Sequence, residues 1–146
     1  MKKTLAVLAT AFVPLIGLAA PASADTVALP YGGTATLTIP DVVLTPGGSC
    51  INHYGSLVVA GHAYGWNFDV TANGPSTWPA SDYLYGTGPQ TRIVDFILCP
   101  STDKPGTYTA SGLFEVRDAD YNYLEVVLSD QFVISNPAPP PPPPPA

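Results

Sequence analysis

Two cysteines and two histidines are the side chains of this sequence best suited to metal or redox chemistry. Together they would supply a Cys2His2 ligand set, formed by Cys50, His53, His62 and Cys99. Two residues separate the first pair and eight separate the histidines, which is not the spacing of a standard zinc site. Two cysteines in an oxidising compartment usually form one disulfide. We therefore expect a Cys50–Cys99 disulfide, two histidines in turns, and no bound metal or other cofactor.

An oxygen-rich segment later in the chain resembles the start of a calcium-binding loop. Asp118, Asp120 and Asn122 place oxygen atoms at alternate positions, as a hard cation requires. However, Tyr123 stands where such a loop needs a glycine, and Ser129 stands where it needs a bidentate glutamate. An acidic hairpin turn is the better interpretation, because Asp and Asn favour turns.

Catalytic signatures are missing from the sequence. It contains no G-x-S-x-G motif, and no known motif surrounds Ser49. The spacing of Asp69, Asp82 and Asp95 does not indicate a glycosidase pair. Asp69 and Asp95 also fall on the polar faces of predicted strands. We expect that the chain is not an enzyme, and a hydrolase is the weakest alternative.

Five aromatic residues in predicted loops and turns are the most usable binding groups. They lie between residues 72 and 90 and around a turn at 118–122, and are Trp78, Tyr83, Tyr85, Tyr121 and Tyr123. Flat aromatic faces suit sugar rings or protein hot spots, because they bury a large area at low entropic cost. The competing interpretation is that the long loop packs on a sheet and hides its aromatic residues. Trp66, at an inward strand position, is assigned to the core.

The segments that must position these residues alternate apolar and polar side chains with the period of a β-strand. No window after Asp25 has the apolar spacing of a helix over three turns. Seven strands are predicted, over residues 26–29, 34–39, 56–60, 63–71, 91–99, 107–117 and 123–134. Tyr64 is among the inward positions. The apolar spacing stretches in the last strand, which predicts a β-bulge at Asp130 or Gln131. The residues between 72 and 90 are predicted to form a long loop.

The two ends of the chain differ in composition from its middle. Two lysines precede an uncharged apolar run, and an A-x-A cleavage pattern follows at residues 22–24. This predicts a signal peptide over residues 1–24, one domain over 25–136, and a proline-rich tail over 137–146 that adopts the extended polyproline II conformation. The apolar run is short for a membrane span, so we expect no membrane insertion after cleavage.

The charge of the chain limits its partners. After the predicted signal peptide, three basic residues, Arg92, Lys104 and Arg117, stand against 11 acidic ones. Nucleic acid is disfavoured as a partner, because phosphates are bound by clustered lysines and arginines. Anionic lipid is disfavoured for the same reason. The composition suits a secreted, extracellular protein that is free in the medium or associated with the cell wall.

The segment Asp103-x-x-Gly106-x-Tyr108 resembles the corner before the penultimate strand of immunoglobulin-like domains. In those domains a tyrosine hydroxyl bonds to backbone upstream. The resemblance implies that Tyr108 is a structural corner residue and that the fold is a seven-stranded immunoglobulin-like β-sandwich. Ala110 stands where antibody domains have a cysteine. The Cys50–Cys99 disulfide is therefore expected to tie the segment before the third strand to the end of the fifth, rather than to join the two sheets.

The chain as a whole is similar to uncharacterised small exported proteins of high-GC Gram-positive bacteria. The exposed aromatic residues and the missing catalytic signatures lead us to expect a non-catalytic domain that recognises a protein or a cell-wall glycan. The alternative is a secreted small-molecule carrier. Enediyne-binding apoproteins resemble this chain in size, acidity and sandwich architecture, but they usually carry two disulfides.

Overall fold

Alternating burial along the chain produces nine β-strands and no helix within residues 24–142, the part that this computed structural model describes. The strands are β1 (Asp25–Ala28), β2 (Thr34–Thr38), β3 (Val42–Val43), β4 (Ile51–Ala60), β5 (Gly65–Asn73), β6 (Ala80–Thr87), β7 (Gln90–Leu98), β8 (Gly106–Arg117) and β9 (Tyr123–Ser135). The all-β prediction is confirmed, but the predicted number of strands is too low. The predicted signal peptide, up to residue 23, and the last four residues of the predicted tail lie outside the described residues.

Two sheets pack against each other around a single apolar core. The four-stranded sheet has the order β1-β2-β4-β7, and the five-stranded sheet has the order β3-β9-β8-β5-β6. Strand β3 pairs with β9 in parallel, and the other pairs are antiparallel. Both sheets contribute to the core, whose largest fully buried side chains include Tyr108, Phe68, Phe96, Phe114 and Phe132. Their burial is the main stabilising term of the fold.

The largest departure from the sequence prediction is that part of the predicted long loop is a strand. Strand β6 pairs with β5 along its whole length. Its large aromatic side chains point outward, and its inward positions hold only one large apolar residue, among Ala80, Asp82, Leu84 and Gly86. Small and polar inward residues are tolerated because β6 is at the edge of its sheet. The alternation that would have revealed this strand is therefore weak in the sequence.

Asp130 explains the stretched apolar spacing in the last strand, and the bulge predicted at Asp130 or Gln131 is absent. Strands β8 and β9 pair in unbroken register. Asp130 occupies the inward position between Leu128 and Phe132, and it is buried. Its Oδ2 accepts a hydrogen bond from the backbone nitrogen of Ile39, with an N–O distance of 2.6 Å. The carboxylate thus satisfies a backbone donor at the point where the chain leaves β2 for the other sheet.

The pH dependence of folding should report on Asp130. The pKa of this carboxyl is raised, with desolvation as the largest cause; hydrogen bonds from Ile39 and Gln131 lower it, and repulsion from Asp25 and Asp41 raises it further. As the pH rises above the ordinary value of 3.8, the unfolded chain loses this proton before the folded protein does. The carboxyl therefore contributes stability below pH 3.8 that is lost as the pH rises through its folded pKa.

We expect Asp130→Asn to remove this dependence. Urea unfolding of the protein and the variant across a pH series would measure it. The free energy of unfolding of the protein, minus that of the variant, should fall as the pH rises through this window. Two parallel pH profiles would contradict the assignment.

The predicted Cys50–Cys99 disulfide is present. It joins the residue before β4 to the residue after β7, next to the cross-strand pair Ile51 and Leu98. Both strands belong to the four-stranded sheet, so the bond fastens one end of a strand pair and does not join the two sheets. A disulfide is consistent with an extracellular location.

Two buried side chains organise the connection before β8. The hydroxyl of Tyr108 donates to the carbonyl oxygen of Lys104 at 2.9 Å, and desolvation raises the pKa of this phenol. The carboxylate of Asp103 accepts from the backbone nitrogen of Cys99 at 2.6 Å and from Ser76 Oγ at 2.6 Å. These bonds hold the segment that carries the chain from the four-stranded to the five-stranded sheet.

Candidate functional site

A concavity of about 470 Å³ lies where the chain passes from β6 in one sheet to β7 in the other. Strands β5 to β8 all contribute to its walls. The polar and aromatic lining side chains include Asn67, Tyr83, Tyr85, Gln90, Arg92 and Arg117. Its volume is within the range of sites that hold small ligands.

Trp66 and Gly86 form the floor of this concavity. Trp66 is buried, its ring stacks on Phe114 with centroids 5.5 Å apart, and its Nε1 donates to the carbonyl oxygen of Gly88 at 3.0 Å. Gly86 lies opposite Trp66 on β6. A Cβ atom at residue 86 would approach the indole to 2.5 Å and the side-chain oxygen of Gln90 to 2.9 Å. The indole can therefore lie against β6 only because residue 86 has no side chain.

Tyr83 and Tyr85 form an aromatic wall on the outer face of β6. They occupy consecutive outward positions, and their ring centroids are 6.2 Å apart. Asn67 lies opposite Tyr85 on β5, and its Nδ2 donates to Glu115 Oε1 at 3.2 Å. Two exposed flat rings thus lie beside an amide that can bind polar groups of a ligand.

Arg92 reaches the concavity from the other sheet. Gln90 and Arg92 occupy inward positions at the start of β7, before the buried core positions that begin at Val94. Because the two polar residues lie ahead of the core, they line the concavity. The Cζ atom of Arg92 is 6.0 Å from the centroid of the Tyr85 ring.

Arg117 approaches the same concavity from the end of β8. Its Cζ atom is 4.9 Å from the ring centroid of Tyr123, its cross-strand partner on β9. Its Nε atom is buried and has no hydrogen-bond partner among the described residues. Within residues 24–142 the one ion pair joins Arg117 to Glu115 at 4.0 Å, and a partly exposed pair of this length is weak. The charge of Arg117 is therefore largely available to a ligand.

A second concavity of about 330 Å³ adjoins the first. The two share Gly65, Thr87 and Arg117, and the second is also lined by Tyr64 and Tyr121. Tyr64 was predicted to point inward, but it precedes the first residue of β5 and is 41% exposed. We refer to the two concavities together as the groove, with Arg117 at their junction.

The turn between β8 and β9 places Tyr121 at the groove. Asp118 Oδ1 accepts from the backbone nitrogens of Asp120 and Asn122 at 2.8 and 2.9 Å, and its Oδ2 accepts from Asn122 Nδ2 at 2.8 Å. The bond from the Asn122 side chain is the main cause that lowers the pKa of Asp118. This carboxylate is therefore used by donors of its own turn, where Tyr121 adopts a left-handed φ of 63°.

Three of the five predicted aromatic residues line the groove, and a fourth packs against one of its lining side chains. Tyr83 and Tyr85 line the first concavity, Tyr121 lines the second, and Tyr123 packs under the guanidinium at their junction. Trp78 precedes the opposite end of β6 and does not line the groove; it is 72% exposed. All five residues are exposed, so the interpretation that the long loop hides its aromatic residues is wrong.

The histidines are bonded to backbone. His53 was predicted in a turn but lies within β4, where its Nε2 is 2.8 Å from the carbonyl oxygen of Pro40 and burial lowers its pKa. His62 does lie in the turn after β4, with its Nδ1 3.2 Å from the carbonyl oxygen of Gly32. Among the described residues, no group of three His, Cys, Asp or Glu side chains could hold a metal ion.

Sequence reasoning did not identify the polar part of this site. Asn67, Gln90 and the two arginines carry no motif, and they come from three strands of two sheets. The one signal in the sequence that could have pointed to the arginines is the scarcity of basic residues, since only three follow residue 24. In so acidic a chain, a basic side chain is a candidate binding group even where no motif surrounds it.

Comparison with known proteins adds no family assignment. No protein-family model matches the chain, and no curated protein matches it either. Within residues 24–142, no helix has the length and apolar character needed to span a membrane. The candidate site therefore depends on its geometry and chemistry alone.

Proposed function

We propose that this chain is an exported, non-catalytic domain that binds a cell-wall glycan in the groove. The observation that carries the proposal is the meeting of two exposed tyrosine rings, two amide side chains and two guanidinium groups around one open concavity. Aromatic faces pack against the apolar faces of sugar rings, and amides and guanidinium groups bond to their hydroxyl groups.

An immunoglobulin-like topology is part of the proposal. Strands β4 and β7 share one sheet, whereas β9, β8 and β5 are consecutive in the other. Strands B and E, and strands G, F and C, have these relations in immunoglobulin-like domains. The hydrogen bond from Tyr108 to the backbone of Lys104 supports the same assignment. The described part of the chain differs in having nine strands rather than seven.

Export is supported by the predicted signal peptide over residues 1–24 and by the disulfide. In this proposal the proline-rich segment over residues 137–146 acts as a stiff spacer that holds the binding domain away from whatever it is attached to.

A small-molecule carrier is the second candidate, and the groove favours it less. Carrier sites are enclosed and mostly apolar, whereas the first concavity is open and walled largely by polar side chains. A hydrolase is favoured least, because no carboxylate lines the first concavity within the described part of the chain.

Replacing Tyr83 and Tyr85 together with alanine should weaken glycan binding at least about tenfold, because truncating a central aromatic contact costs more than about 1 kcal/mol. A glycan array would select the best cell-wall glycan, and isothermal titration calorimetry would give its Kd for the protein and the variants.

The matched control is Trp78→Ala, which removes an exposed aromatic residue from the other end of β6. This control should bind like the unchanged protein. Loss of binding in Trp78→Ala, with no loss in the double tyrosine variant, would move the site away from the groove.

A further inference from the structure

Two of the three basic residues in the described part of this acidic chain lie at the same concavity. The sequence has 11 acidic and five basic residues, and only Arg92, Lys104 and Arg117 follow residue 24. Two of these three line the first concavity, although they lie on strands of different sheets. The first concavity, which no carboxylate lines among the described residues, therefore forms a positively charged site on a protein of negative formal charge, whereas Asp118 lines the second concavity.

Both guanidinium groups keep unused binding capacity. Arg92 has no carboxylate partner within 4.0 Å among the described residues, since the one ion pair there is that of Arg117 with Glu115. Glu115 also accepts a hydrogen bond from Asn67, so its charge is shared. The Nε of Arg117 is buried without a partner. Guanidinium groups of this kind match the paired oxygens of a carboxylate or a phosphate, whereas a neutral sugar would use neither charge.

We infer that the glycan is anionic and longer than one unit. This inference rests on the proposed function. One hexose unit packs on Tyr83 and Tyr85 and places its carboxylate or phosphate oxygens between Arg92 and Arg117. The next unit passes over Arg117 into the second concavity, where Tyr121 packs against it. A peptide with a free C-terminal carboxylate offers the same charge, but it has no sugar ring whose apolar face can pack on the two exposed tyrosine rings. These rings therefore favour a sugar as the ligand.

Three matched probes separate charge from ring shape. Trigalacturonate carries carboxylates, its methyl ester has the same rings without charge, and a phosphodiester-linked hexose polymer supplies phosphate. We expect one or both anionic probes to bind at least about tenfold more tightly than the ester, because hydrogen bonds to charged groups are the strong ones. The better of the two identifies the anion. The preference should shrink as ionic strength rises.

Charge variants locate the effect. Arg92→Gln and Arg117→Gln should each weaken binding of the anionic probe by a larger factor than binding of the ester, and so reduce the preference. Lys104→Gln changes the net charge by the same amount, but Lys104 lies outside the groove. This variant should keep the full preference. An equal loss in Lys104→Gln would show an effect of net charge, and would overturn the inference.

The outcomes distinguish this inference from the function on which it rests. If neither anionic probe binds more tightly than the ester, and binding is still lost in the double tyrosine variant, the anionic ligand is overturned and glycan binding still stands. An unchanged affinity for the better anionic probe in Tyr121→Ala would contradict the proposed contact of a second sugar unit with Tyr121. Arginine-dependent binding of a peptide with a free C-terminus, with no binding of any sugar probe, would reject both.

Discussion

Replacing Cys50 and Cys99 with alanine lowers the free energy of unfolding by about 4 kcal/mol, on the model that a disulfide restricts the unfolded chain. The two cysteines are 49 residues apart, so the bond closes a long loop. This loss is a large part of the total free energy of unfolding of a small domain, which is roughly 5–15 kcal/mol. The variant should therefore fold, with little stability in reserve.

The loop closed by the disulfide contains most of the groove. Trp66, Tyr83, Tyr85 and Arg92 all lie between the two cysteines, whereas Arg117 and the residues of the turn after it lie outside. Loss of the bond should therefore lower the temperature at which ligand binding fails, as well as the midpoint of unfolding.

Urea unfolding of the oxidised protein, the reduced protein and the double alanine variant would measure the effect. The reduced protein should agree with the variant, because both lack the same constraint. A loss below about 1 kcal/mol would mean that the unfolded chain is already restricted, and would contradict the loop-closure account.

The second large effect is expected at Trp66, which joins the stability of the core to the shape of the groove. Replacing it with alanine should cost about 3–5 kcal/mol, as is usual for a large aromatic residue in a core. Trp66 is 2% exposed and stacks on Phe114. Its indole also holds the connection at Gly88 from which β7 begins. The variant should therefore lose ligand binding together with stability.

Trp66→Phe separates these two roles in case the alanine variant does not fold. Phenylalanine keeps an aromatic ring but removes the donor to the buried Gly88 carbonyl, at a cost of about 1–3 kcal/mol. Because Gln90 and Arg92 follow this connection, binding should weaken in a protein that is still folded.

Trp78→Ala is the matched control for both variants, since it removes the other tryptophan of the chain at an exposed position. It should change stability by no more than about 0.5 kcal/mol. Urea unfolding followed by far-ultraviolet circular dichroism would compare all three variants. Equal stability of Trp66→Ala and Trp78→Ala would contradict the placement of Trp66 in the core.

Several features of the fold follow from local pattern. Alternation around Phe68, Phe96 and Phe114 predicts strands because each strand buries one face against the opposite sheet. The same logic failed where the buried face carries unusual residues. Asp130 takes an inward position that an apolar residue would normally hold, and it imitates a bulge in the sequence. Strand β6 was missed because its tyrosines face outward.

Only the aromatic part of the candidate site could be predicted from the sequence. The tyrosines could be identified as binding groups from their chemistry, and three of the five aromatic candidates do line the groove. The sequence could not predict that the arginines lie close to these tyrosines, because Arg92 and Arg117 are 25 residues apart and belong to different sheets. Their convergence depends on where the chain passes between sheets at Gly88 and on the register of β8 with β9.

Residue types and their period of two were enough to determine the β-class of this chain and the pairing of its two cysteines, since burial of one strand face and the presence of two thiols are local facts. The strand status of β6, the inward Asp130 and the pairing of two arginines around exposed tyrosines arose only from long-range packing. Cross-strand register and the stacking of one sheet on another depend on contacts between distant parts of the chain, and no local window of sequence contains them.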